Sequence, residues 1–295
     1  MAAVPARPRL SAFGDEIADD LDAQIAALRR HDVRFLELRA AWRTNVADLS
    51  DLELERIGRR LTEAGIGVSA VASPVGKAPI IRGFDAELAQ FRRALTVARL
   101  VGAPLVRIFS FFVPDGSYRQ HRDEVIHRLA AFAREAEATP LTLVLENESY
   151  TYADTAERCR DVIDGVGSPA LRCAFDPANF VQTGQRPFAE AWPLVAPHVA
   201  HIHIKDAVPV DRTGFPPYPA RVPGERLMDS VRLPGEGQGE LLPILRDLMA
   251  RGYQGFLAIE PHLKRRLPDQ DGPSRFGAAV AALRHLIREV ENAVV

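Results

Sequence analysis

Four short segments end in side chains suited to holding a divalent cation. LTLVLENES delivers Glu146, then Asn147 and Glu148, straight after an apolar run. LRCAFDPANF delivers Asp176, VAHIHIKDA alternates His201, His203 and Lys205, and FLAIEPHL delivers Glu260 and then His262. Singly, each has an ordinary explanation: an acid after a strand caps the next helix, and a histidine in an apolar run sits satisfied in a core. Together they bring three carboxylates and an imidazole to corresponding points of successive segments. Clustered buried acids cost several kcal/mol unless a cation compensates them, and a divalent metal does so. Carboxylates with imidazole favour Mn2+, with Mg2+, Co2+ or Zn2+ also compatible, over a thiolate-type structural zinc site. Four protein ligands on a six-coordinate ion leave two positions for the adjacent oxygens of a hydroxy-ketone. An ion there would ease proton removal next to the carbonyl and stabilise an enediolate.

The elements that must position these groups follow one repeating pattern. Apolar runs predict strands at Leu10–Phe13, Val33–Arg39, Gly67–Ala72, Leu105–Phe109, Leu141–Glu146, Leu171–Asp176, Val199–Lys205 and Gly255–Glu260. Amphipathic stretches between them predict helices near 19–31, 51–64, 85–101, 119–138, 154–165, 187–196, 240–252 and 272–291. Eight strands alternating with eight helices imply an α/β fold, a parallel (β/α)8 barrel forming a single domain over residues 1–295. An open doubly wound sheet is the competitor, but Gly14-Asp15-Glu16 after the first strand offers no dinucleotide-binding glycine pattern. Asp51 and Asp85 fall where first-turn acids complement a helix dipole, and Gly65 and Gly102 where a helix C-terminus needs positive φ. In a barrel, polar residues at the C-terminal strand tips converge on one site. The stretch 206–239, with six prolines and five glycines, becomes a long βα loop over that site.

Bulk properties narrow the function classes. The 295 residues are 47% hydrophobic and 26% charged, with a net charge of −2, so no broad field attracts nucleic acid or an anionic membrane. Cys159 and Cys173 form no CxxC pair and are expected to be packed free thiols. The opening MAAVPARPRL lacks a signal-like apolar core, and no run is long enough to span a bilayer, which predicts a cytoplasmic protein without membrane partners.

LVLENES, AFDPANF, HIHIKDA, PGEGQG and AIEPHL, together with SAFGDEI, FLELR and ASPVGK, resemble the sugar phosphate isomerase/epimerase superfamily, the xylose-isomerase-like TIM barrels. The resemblance runs in order over nearly the whole chain. It implies one divalent metal held by Glu146, Asp176, His203 and Glu260, with Glu146 and Glu260 also serving as the catalytic acid–base pair. Alternation alone leaves His201 and His203 both facing inward; the resemblance favours His203 as ligand. It further implies a small carbohydrate substrate and is compatible with a homo-oligomer. Three residues after the aspartate, the superfamily's ketose 3-epimerases carry a substrate-contacting histidine, where this chain has Asn179.

Other candidates for substrate contact are Lys205, Arg107, Glu37 and His201. Only three of the 37 basic residues are lysine, which draws notice to Lys205. It is suited to binding a substrate oxygen, to acting as an acid if its pKa is depressed, or to pairing with Asp206 or another rim acid. An arginine such as Arg107 or Arg39 suits a substrate carboxylate or phosphate; the competing expectation is an internal Glu37–Arg107 salt bridge. Pro234–Gly239 looks superficially like a phosphate loop, although Glu236 would repel phosphate. Three functions share the site: an isomerase or epimerase acting through an enediolate; a lyase or dehydratase on an inosose or 3-keto-sugar; and, remotely, an AP-endonuclease-like DNA repair enzyme. The last needs histidines that VASPVG and IFSFFVPD lack. A fourth reading, a non-catalytic sugar-binding or scaffold barrel, leaves the retained acid cluster without a purpose.

Overall fold

The computed structural model describes residues 7–114, 116–213, 215 and 224–293. Its barrel strands are β1 (Arg9–Phe13), β2 (Phe35–Leu38), β3 (Gly67–Ala72), β4 (Leu105–Ile108), β5 (Thr142–Glu146), β6 (Leu171–Phe175), β7 (Val199–Ile204) and β8 (Phe256–Ile259). Each pairs in parallel with the next, and β8 pairs with β1, closing an eight-stranded barrel. Several strands end one residue earlier than the apolar runs suggest. The residues concerned, including Arg39, Phe109, Asp176, Lys205 and Glu260, instead leave the ladder at the barrel's C-terminal end.

Strand alternation sorts side chains between two environments. Leu36, Leu38, Val106, Ile108, Leu143, Leu145, Cys173, Phe175, Ile202, Ile204, Leu257 and Ile259 point outward into the shell beneath the helices. The inward set begins apolar, with Ala70, Leu105, Val144, Ala174 and Phe256 plugging the lower barrel, and Phe13, Ala72 and Ala258 above them. Higher still the interior turns polar. That change of layer separates the stabilising floor from the site.

Helices form where local signals start and stop them. Ser50 and Glu53 make a reciprocal capping box for Asp51–Glu63, and Asp20, Thr155 and Asp271 cap their helices through side-chain oxygens. Asp51 and Asp85 lie in first turns, and Gly65 and Gly102 both take φ of 70°, as expected. One helix differs. The stretch 187–196 forms a π-turn at Pro187–Ala191 followed by a short α-turn at Trp192–Val195. Pro187 and Pro193 lack the N–H groups a continuous α-ladder needs. An extra helix, Pro177–Thr183, precedes it, with Asp176 as N-cap and proline at its first position.

The stretch 206–239 carries more structure than its composition suggests. Asp206–Ala207 pairs antiparallel with Val231–Arg232, and Gly224–Asp229 forms a short helix; residues 214 and 216–223 lie outside the described residues. Both cysteines are free and buried, and burial pushes the Cys173 thiol up to about 12. Among the described residues no helix is long and apolar enough to cross a membrane.

Candidate metal centre

Glu146 and His203, on the inner faces of β5 and β7, meet Asp176 and Glu260, the first residues past β6 and β8, at one point. One ligand atom from each lies within 4.8 Å of the others, and all four residues are buried. His203 Nδ1 faces the cluster, 3.3 Å from Glu146 Oε1, 3.8 Å from Asp176 Oδ2 and 4.0 Å from Glu260 Oε2. Ligand atoms around an octahedral ion at about 2.1 Å would stand roughly 3 to 4 Å apart. The cluster is thus only slightly wider than a bound ion would draw it.

Two orphaned atoms mark the same spot. Asp176 Oδ2 and His203 Nδ1 are buried without a hydrogen bond of acceptable geometry and are met only by charged neighbours, an arrangement with room for a better partner. Lys205 Nζ stands 2.6 Å from Asp176 Oδ2 and 3.2 Å from Glu260 Oε2 as an ion pair. The donor set and its orphans fit a divalent cation.

Each glutamate divides its two oxygens. Glu146 gives Oε2 to Arg107 Nη1 at 2.6 Å and turns Oε1 toward His203. Glu260 gives Oε1 to Arg39 Nη1 at 2.7 Å and His262 Nε2 at 3.2 Å, leaving Oε2 to the cluster. Burial alone would raise both carboxyls, but His203 and Arg107 hold Glu146 below the usual range. Lys205, His262 and Arg39 hold Glu260 well below it. Burial would lower Lys205, yet Asp176 and Glu260 outweigh it and keep the ammonium charged; the depressed pKa entertained for an acid role is not found. Its partners are these two acids and not Asp206.

Glu37 and His201 lie below the cluster. His201 Nε2 is 2.6 Å from Glu37 Oε2, and His203 Nε2 is 3.3 Å from Glu37 Oε1. Burial would raise Glu37, but the two imidazoles bring it down to about 2. A carboxylate accepting from Nε2 fixes the His203 tautomer that leaves Nδ1 free for a metal. Neither Glu37 nor His201 lines the cavity above. The expected Glu37–Arg107 bridge does not form. Glu37 is level with Ala70 on β3 and Arg107 with Ala72, one inward layer higher.

Asn179 braces the cluster. Its N–H caps onto Asp176 Oδ1 at 2.9 Å, and its Nδ2 donates to Glu146 Oε1 at 3.2 Å and to Asn147 O at 2.8 Å. Asn147 mimics a backbone strand, exchanging hydrogen bonds with the N–H and C=O of Asp176 at 2.9 Å each.

A cavity of about 310 Å3 opens over the cluster, lined by Glu146, Asn179, Lys205, Glu260, Arg39, Arg107, Lys77, Glu148 and His262, with Leu227 and Met228 from the long loop. Three partners were not anticipated. Asp15 and Glu16, in the turn after β1, each hold Arg39 at 2.7 Å, and Glu16 also meets His262 at 2.9 Å. Burial would lower His262, but Glu260 and Glu16 raise it to about 9. Lys77 pairs with Glu148 at 2.7 Å. The strand-tip rule that picked out β5 to β8, applied to SAFGDEI, points to Asp15 and Glu16; Lys77 sits in a loop and offered no such signal.

The glycines of PGEGQG have a different purpose from phosphate binding. Asp206 accepts the N–H groups of Ala207, Gly235, Gly237 and Gly239 at 2.7 to 3.0 Å. A Cβ on Gly237 would sit 2.3 Å from Asp206 Oδ1, so the loop closes around the chain's own carboxylate.

Searched against proteins of curated function, the chain matches none. Solved structures share the fold at low identity. The IOLI protein with a bound zinc atom is 14% identical with a TM-score of 0.75, covering 96% of this chain and 99% of that one. L-ribulose 3-epimerase is 16% identical with a TM-score of 0.71, covering 97% of each chain. The probable 3-DHS dehydratase AsbF from Bacillus anthracis is 14% identical with a TM-score of 0.71, covering 94% and 98%. Residues 25–287 match the family described as xylose isomerase-like TIM barrel, so the chain belongs to that family.

Proposed function

We propose that the protein is a divalent-metal-dependent isomerase or epimerase that interconverts small keto-sugars through an enediolate. The observation that carries this reading is the pair Glu146 and Glu260. Both line one small cavity, both present an oxygen to the same cluster, and each is anchored by its own arginine. A cation held by Glu146, Asp176, His203 and Glu260 would supply the Lewis acidity that makes a proton next to a carbonyl removable. Mn2+ suits the ligands best, and Mg2+, Co2+ and Zn2+ suit them too.

The chain's own residues do the rest. One glutamate accepts the substrate proton and the other returns one to the adjacent or opposite position. His262 Nε2, 3.2 Å from Glu260 Oε1, is the donor placed to recharge it, while Lys205 Nζ, 3.2 Å from Oε2, stays a charged ammonium that holds it. Leu227 and Met228 give the cavity an apolar edge, and its volume sits at the small end of ligand sites and suits a monosaccharide.

The Lys205 ammonium also favours a second reading, elimination from an inosose or 3-keto-sugar. A lyase must stabilise the oxygen that departs, and a charged ammonium facing the cavity would do so. The protein would be assayed after metal analysis, with keto-sugars and inososes, for epimers against enones or diketones. Glu146→Gln and Glu260→Gln should each lower turnover by about 10^2 to 10^4-fold; full activity in either would end the acid–base assignment.

A further inference from the structure

Beside Glu146, the cavity wall formed by β4 and the loop after β3 carries two cations on one aromatic ring. Arg107 Cζ lies 4.3 Å and Lys77 Nζ 4.7 Å from the centre of Phe109. Arg107 is only 5% exposed yet lines the cavity. Its Nη1 donates to Glu146 Oε2, and its Nε is buried with no acceptor. No other hydrogen bond from this guanidinium is made among the described residues. Lys77 is nearly half exposed, and its bond to Glu148 is one that a surface lysine exchanges readily.

A buried guanidinium with unspent donors on a ligand cavity is unusual, because proteins satisfy such donors internally when they can. Had Arg107 served only to anchor Glu146, a neighbouring carbonyl or hydroxyl would be expected on its remaining N–H groups. Phe109 instead supplies a flat face that fixes the guanidinium plane without consuming a donor. Arginine's planar fork matches a carboxylate or phosphate through two parallel bonds.

We infer that Arg107, assisted by Lys77, binds an anionic group on the substrate, so that the keto-sugar is an acidic one: a sugar acid or a sugar phosphate. This rests on the keto-sugar reading above and narrows its substrate class. Glu148 then acts as the resting partner of Lys77 that the incoming oxyanion displaces.

Calorimetry on the full chain, first in EDTA and then loaded with Mn2+, tests it with 5-keto-D-gluconate, D-fructose 6-phosphate and neutral D-fructose. At least one anionic probe should bind about tenfold or more tighter than D-fructose, and which one does so identifies the group. Arg107→Met should abolish that preference, and Arg107→Lys should retain part of it. Lys77→Met, which touches no metal ligand, should weaken it by a smaller factor while Mn2+ stoichiometry and circular dichroism stay unchanged. Equal binding of all three probes, binding of none, or a preference that survives Arg107→Met overturns the inference. A preserved preference without turnover of any probe would instead count against the isomerase reading and leave the anion subsite standing.

Discussion

The two halves of the barrel do different work. Strands β5 to β8 deliver the cluster itself: short acids and an imidazole at the strand tips, plus Lys205. Strands β1 to β4 and their loops deliver the groups that hold the cluster in place: Arg107 on Glu146, Arg39 on Glu260, and Glu37 beneath His203. The difference shows why each glutamate has one oxygen to spare. The ligand half alone would be a knot of mutually repelling carboxylates. The opposing half neutralises one oxygen of each glutamate, so that the other can turn to an ion without either side chain swinging free.

Variants of the two halves should therefore fail differently. His203→Ala or Asp176→Ala removes a proposed ligand, and the purified protein should lose stoichiometric divalent metal altogether, as read by elemental analysis. Near-stoichiometric retention in both would mean the ion sits elsewhere. Glu37→Gln leaves all four ligands but weakens the acceptor that sets the His203 tautomer. Metal affinity should fall about 10 to 100-fold while stoichiometry at saturation persists. An unchanged dissociation constant would reduce Glu37 to a packing role. If Glu37→Gln instead matched His203→Ala, the division between holding and ligating would collapse.

The meeting of four side chains from β5 to β8 was legible in the sequence because its signals are local. Glu146, Asp176 and Glu260 each follow an apolar run; alternation turns His201 and His203 alike inward, and the choice of His203 came from the resemblance. The supporting half depends on who meets whom. Arg39 reaches Glu260 across 221 residues, and His201 reaches Glu37 across 164. Nothing in composition selects Glu260 over Glu37 as the partner of an arginine. The expected Glu37–Arg107 pair failed on register: β2 shifts against β3 between Leu36 and Glu37, and Arg107 rises a layer above. The helix expected over 187–196 failed for a local reason that was visible, since Pro187 and Pro193 both interrupt an α-ladder.

The smallest expected effect falls outside both halves, in the latch of the long loop. Asp206 Oδ1 accepts from Ala207 and Gly239, and Oδ2 from Gly235 and Gly237, so both oxygens are fully used as acceptors. Asp206→Asn replaces one acceptor with an NH2 group facing two N–H donors. Leaving these unsatisfied should cost about 2 kcal/mol, with the loop bearing most of it. Gly237→Ala forces a Cβ onto the same carboxylate and should act alike. Because Asp206 touches none of the four ligands, the metal dissociation constant should stay near that of the parent while proteolysis within 206–239 accelerates. A large loss of metal affinity in either variant would show that the loop shapes the cluster itself, and the two-half division of labour would then need a third member.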